Sequence, residues 1–94
     1  MITIVVNVSG ETLTDFYTIR DLSEDTIRFK SSFPFHSDTL YPILDDDYND
    51  IIQFPETFRF IGEINDSIVI NERYIIDSDG CHIDKLKGKK EIQL

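Results

Sequence analysis

Cys81 and His82 stand side by side, and with His36 they are the only thiol and the only imidazoles in the chain. Nucleophilic catalysis needs a thiol and a base within hydrogen-bond reach. Neighbouring residues of a strand point to opposite faces, so extended backbone keeps Cys81 and His82 apart. A pairing of Cys81 with His36 has no support in the spacing. A zinc site takes at least three good ligands, and one Cys with two His leaves no redundancy. The pattern fits a small buried thiol and a surface histidine.

Carboxylates are the other reactive groups. Asp45, Asp46, Asp47 and Asp50 form the densest run. Calcium loops set their ligands at alternate positions and use a Gly for the sharp turn. Consecutive Asp residues with no Gly nearby do not match that spacing. They suit a solvated acidic loop, the start of a short helix, or a surface that meets a partner. Asp77-Ser78-Asp79-Gly80 opens like a calcium loop, but no third spaced acid and no closing Glu follow, so it reads as a turn. An acid pair for glycoside chemistry needs a cleft, for which a small β domain has little room. Gly10, Gly62, Gly80 and Gly88 are scattered, which leaves no phosphate-cradling loop. The expectation is a protein that performs no reaction and holds no cofactor or metal.

Charge carries more information. Eighteen acids face nine bases, for a formal net charge of −9. The imbalance is local. Residues 1–84 hold all the acids but Glu91, against Arg20, Arg28, Lys30, Arg59 and Arg73; residues 85–94 hold Lys85, Lys87, Lys89 and Lys90. Such a field repels nucleic acid and anionic membrane and attracts basic surfaces. Arg28, Lys30 and Arg59 suit cross-strand pairing with carboxylates better than a nucleic-acid stripe.

A chain of 94 residues makes one domain, 1–94, with one core. Hydrophobic content of 40% places it among globular proteins despite its charge. The lone Cys81 permits no internal disulfide. Met1 to Asn7 lacks the basic flank and the length of a signal peptide, and no run approaches the roughly 18 apolar residues of a membrane span. These features point to a cytoplasmic protein.

The elements follow from periodicity. Ile2, Ile4, Val6 and Val8 share one face of a first strand. Leu13 to Leu22 is extended in character, and Asp21 to Asp25 is a polar corner. Thr26 to Lys30 alternates, with Ile27 and Phe29 inward. Ser31 to Pro42 reads as irregular, since Pro34 and Pro42 each remove a donor. One short helix is allowed in 45–54, stopped by Pro55. Thr57 to Ile64 and Ser67 to Asp77 are strands joined by Asn65-Asp66, which has the length and residue types of a two-residue hairpin turn. Glu72 interrupts the apolar parity of the second, which suggests a bulge or reversal at Asn71 to Arg73. Cys81 to Leu86 is a further short strand, and 85–94 is a basic, loosely ordered end. Six to eight short strands argue an all-β fold, a small antiparallel barrel, roll or sandwich.

Tyr17-Thr18-Ile19-Arg20-Asp21-Leu22-Ser23-Glu24-Asp25-Thr26-Ile27-Arg28-Phe29-Lys30-Ser31-Ser32 resembles the central signature of PilZ domains, and Phe58-Arg59-Phe60-Ile61-Gly62-Glu63-Ile64 is similar to the family's next long strand. The resemblance covers about half the chain. It implies a six-stranded barrel, with Arg20, Asp21 and Ser23 lining a site. The family's Arg-x-x-x-Arg motif for cyclic di-GMP is missing, and Thr26 stands in place of its Gly. The resemblance therefore implies a degenerate member that keeps the barrel and serves as a protein adaptor without the nucleotide.

The charge reading is an acidic interaction module that docks on a basic protein, such as a nuclease or another nucleic-acid-binding protein. Inhibitors, immunity proteins and phage DNA mimics share this logic, because carboxylates on a rigid sheet imitate phosphates and steer association. Asp45, Asp46, Asp47 and Asp50 are the first choices for the contact surface, and Asp21, Glu24, Asp25 and Asp38 the second. Exposed edge strands also allow two copies to pair as a homodimer.

Overall fold

Alternation of β-branched residues makes Ile2–Asn7 a strand, β1, that buries Ile2, Ile4 and Val6. The computed structural model describes residues 2–7, 13–28, 40–80 and 82–93. Among them, seven more strands follow: β2 (Asp15–Arg20), β3 (Asp25–Ile27), β4 (Leu40–Leu44), β5 (Glu56–Ile64), β6 (Ser67–Ser78), β7 (Ile83–Lys87) and β8 (Glu91–Gln93). The fold is all-β, and the helical content of the described residues is one 3-10 turn over Asp46–Asp50.

The strands form two sheets. Five pair in the order β3-β2-β5-β6-β7, and three in the order β4-β1-β8. The five-stranded sheet is antiparallel throughout. The smaller sheet is mixed, because β8 pairs with β1 in parallel, Val5 beside Glu91 and Asn7 beside Gln93. This corrects the purely antiparallel expectation. A C-terminal strand that returns to the free edge of the first strand is under no hairpin constraint on its direction.

One core lies between the sheets. Ile4, Val6, Tyr41, Ile43 and Ile92 meet Phe58, Phe60, Ile70, Tyr74 and Ile76 within it. Phe16 of β2 packs edge-on to Tyr41 of β4, with centroids 4.9 Å apart. Thr18 is fully buried, and its hydroxyl donates to the Ile43 carbonyl at 2.6 Å, a bond that joins the sheets. Burying that hydroxyl is tolerable because it has this partner.

Several local expectations are revised. Pro42, expected in an irregular stretch, sits inside β4, and 31–39 of that stretch lie outside the described residues. Among the described residues β4 pairs with β1 alone, at the edge of their sheet, where a missing N–H is tolerated. The bulge expected near Glu72 lies elsewhere. Gly62 faces Ile70 and Glu63 faces Ile68, which leaves Val69 as the extra residue. That insertion turns Ile68 out, 60% exposed, while Ile70 is 3% exposed. Glu72 keeps the inward parity at the rim, where the Lys89 ammonium reaches it at 3.4 Å. The basic segment expected to be loose supplies Lys85 and Lys87 to β7 and buries Ile92 in β8.

Two turns show why particular residues stand where they do. Asn65 and Asp66 both have positive φ, 50° and 66°, as a type I′ hairpin requires. Gly88 has φ +132° and lies against the Tyr74 ring.

Candidate interaction surface

Strand direction decides which loops meet. β2 ends, β5 begins and β6 ends on one side of the five-stranded sheet, with Arg20 opposite Phe58 and Glu56 opposite Ile76. The β2–β3 turn (21–24), the 3-10 turn and the β6–β7 connection (Asp79, Gly80 and His82 among the described residues) therefore gather at one end of the molecule. Two hydrogen bonds fix them there. The Asp21 N–H donates to the Thr57 carbonyl at 3.1 Å. The Ser78 hydroxyl donates to the Asn49 carbonyl at 3.0 Å and ties the 3-10 turn to β6.

Beneath this end lies an ion pair. Arg20 and Glu56 occupy the inner face, and the guanidinium donates to both carboxylate oxygens, at 2.7 and 2.8 Å. Their side chains are 15% and 3% exposed. The hydrogen bond to Glu56 pushes the Arg20 guanidinium pKa up. Desolvation opposes the rise, and the charges of Glu56 and Asp25 and the Tyr48 side chain add to it.

The acids surrounding this pair are mostly open to solvent. Glu24, Asp25 and Asp50 are exposed, and Asp45 is half-buried at the start of the 3-10 turn. Of Asp46 and Asp47 the backbone alone is described, within the 3-10 turn. Asp21 is half-buried and accepts a 2.6 Å bond from Arg59. Asp38 lies outside the described residues, as do His36, Cys81 and Lys30. The structure thus gathers Asp21, Glu24, Asp25, Asp45 and Asp50, together with the 3-10 turn that carries Asp46 and Asp47.

Sequence reasoning missed the contribution of β6 and β7. Asp77 and Asp84 are direct cross-strand partners, and Asp79 follows in the turn. Like charges placed opposite one another destabilise a sheet, so this pair adds repulsion at an end already rich in acids. The available signal was the odd spacing of Asp77 and Asp84 about the Asp79-Gly80 turn, which makes them hairpin partners.

The helix allowed in 45–54 is reduced to the 3-10 turn, with Tyr48 N–H donating to Asp45 O and Ile51 N–H to Tyr48 O, both at 3.2 Å. Runs of Asp are poor helix formers, and Pro55 forbids extension.

Arg28 and Arg59, on the outer sheet face, are both engaged by carboxylates. Arg28 donates to both oxygens of Asp15, at 2.8 and 2.9 Å, and its guanidinium lies 4.6 Å from the centroid of the Tyr17 ring. The Tyr17 hydroxyl donates to Glu63 at 2.8 Å, and that bond is the main cause of its raised pKa. The three residues that the PilZ resemblance implies do not line one site. Arg20 points inward to Glu56, Asp21 bonds Arg59, and Ser23 is exposed in the turn.

Among the described residues, no group of three or more His, Cys, Asp or Glu side chains is arranged to hold a metal ion, and no helix is long and apolar enough to cross a membrane. The chain matches no protein-family model, no curated protein and no solved structure.

Proposed function

We propose that this chain is a non-enzymatic, cytoplasmic interaction module whose acidic end docks on a basic surface of a partner protein. The observation that carries the reading is the convergence of the β2–β3, 3-10 and β6–β7 turns at one end of a rigid sheet, pinned by the Asp21–Thr57 and Ser78–Asn49 bonds. Carboxylates held this way focus a negative field, speed encounter with a cationic partner and reject polyanions. A partner that itself binds nucleic acid, a nuclease among them, presents the complementary surface. In this reading the module acts as an inhibitor, an immunity protein or a DNA mimic.

Capture from a lysate of its own host, identified by mass spectrometry, supplies the partner. Association kinetics across ionic strength then compare the wild type with the Asp46→Lys/Asp47→Lys variant. The variant is expected to associate more slowly and with a flatter salt dependence. An unchanged on-rate, or a polyanionic partner, overturns the proposal.

The alternative is a PilZ-like adaptor that binds no cyclic di-GMP. The bidentate bond from Arg20 to Glu56 supports the second half of that reading, because the basic residue nearest the motif is already committed. Titration calorimetry with cyclic di-GMP is expected to show no heat.

A further inference from the structure

Carboxylates alone do not account for the acidic end, because three large apolar side chains are exposed there as well. Leu22 is 64% exposed, Ile51 44% and Phe54 55%. Single exposed apolar residues are ordinary. Val5 on β1 and Leu86 on β7 conform to that expectation, and Ile68 and Val69 adjoin one another at the β5–β6 bulge. Leu22, Ile51 and Phe54 come instead from two segments that the fold brings together. Leu22 sits in the β2–β3 turn, next to the Asp21 N–H that bonds Thr57, and Phe54 is three residues before Thr57.

Both segments are held firmly. The Glu24 N–H donates to the Arg20 carbonyl at 2.7 Å and closes the turn that displays Leu22. Ile51 and Ile52 both donate to the Tyr48 carbonyl, at 3.2 and 3.3 Å, and Ile52 is buried as an anchor. Pro55 then fixes the backbone after Phe54. A backbone held this way loses little further freedom on binding, so the ordering cost is confined to the side chains themselves. Acids flank two of them: Asp21 and Glu24 about Leu22, and Asp50 before Ile51.

We infer that Leu22, Ile51 and Phe54 form the apolar centre of the docking end, and that its occupant is a protein with an apolar pocket rimmed by Lys and Arg. This inference rests on the docking reading above and names the partner's chemistry. Charge complementarity selects the occupant: the acidic rim rejects nucleic acid and anionic lipid, and a partner carrying cations alone leaves the three side chains in water. Apolar anchors inside a polar rim are the arrangement in which a few central residues carry most of the affinity.

The test uses the intact chain and two synthetic probes of equal length and charge, a lysine–leucine peptide and a lysine–serine peptide. The lysine–leucine peptide is expected to bind about tenfold tighter, the effect of burying one large apolar side chain. It is also expected to remain bound in about 0.5 M NaCl, where screening acts over roughly 4 Å. Amide shifts in an NMR titration should map to residues 21–24 and 50–56. Phe54→Ser and Leu22→Ser, both at exposed positions, should remove the tenfold preference and leave the lysine–serine affinity unchanged. Equal affinity for the two peptides overturns the apolar centre and leaves the acidic docking reading intact. Binding of neither peptide overturns both. Self-association in sedimentation that Phe54→Ser abolishes replaces the basic partner with a second copy of the chain.

Discussion

The Tyr74 ring occupies the space that a side chain on residue 88 would need: a Cβ built on Gly88 falls 2.1 Å from its Cδ1. Gly88 also holds φ +132°, a region closed to other residues. The phenol then donates to the Lys89 carbonyl at 2.8 Å, so one aromatic side chain of β6 sets the path of the turn that leads into β8. Gly88→Ala is expected to cost about 3 kcal/mol, from overpacking a buried ring and from backbone strain together. Urea denaturation measures it, and a loss under about 1 kcal/mol would mean that the turn can move off the ring.

Tyr74 also gives an alkaline signature. Burial first, and the Glu72 charge second, push its phenol from 10.0 up to about 12. The folded state therefore keeps the proton after the unfolded chain has released it, and stability is fully present below pH 10. It then falls as the pH rises toward 12, by about 2–3 kcal/mol over that window. Tyr74→Phe should flatten this limb in denaturation curves measured at several pH values. The more exposed Tyr17 is raised as well, so a smaller slope should remain.

The Arg20–Glu56 pair should behave as a buried pair. Glu56→Gln leaves a charged guanidinium beneath the acidic end without its partner and is expected to cost about 3 kcal/mol. The double replacement Arg20→Met/Glu56→Leu should cost less than Glu56→Gln alone, because no buried charge is left behind. Chemical denaturation checks both values, and a double-mutant cycle closed with the singles Arg20→Met and Glu56→Leu measures the coupling; strict additivity would show that the two side chains do not depend on each other.

Much of the fold was legible in the sequence because period-2 alternation and turn chemistry are local. Ile2, Ile4 and Val6 are buried as their spacing implies, and Asn65-Asp66 makes the expected turn. Asp66 holds φ 66° at a position that Gly occupies without strain. Asp66→Gly is therefore expected to raise stability by about 0.5–1 kcal/mol, read as a higher denaturation midpoint. What local pattern does not encode is pairing across long separations. The parallel partnership of β1 with β8 depends on residues at the two ends of the chain. The Val69 insertion depends on how β5 and β6 settle around Gly62, whose missing Cβ leaves room for Ile70 and Leu13. The acidic end was only half legible for the same reason. Asp45 to Asp50 stand out as a run, whereas Asp77 and Asp84 join the surface through strand register.

Asp77 and Asp84 allow stability and docking to be set against each other. They face one another across β6 and β7, and Asp84 is exposed. Asp84→Lys turns a repulsive cross-strand pair into an attractive one and should stabilise the fold by about 0.5 kcal/mol. The same change removes negative charge from the acidic end and adds positive, so on the proposed docking reading association with a cationic partner should slow, with a smaller dependence on salt. A charge arrangement that weakens the fold and quickens encounter is what a docking surface would retain, since function commonly costs some stability. If Asp84→Lys stabilises the protein and leaves the on-rate unchanged, the β6–β7 turn does not belong to the contact surface. In that case the partner meets only the β2–β3 and 3-10 turns.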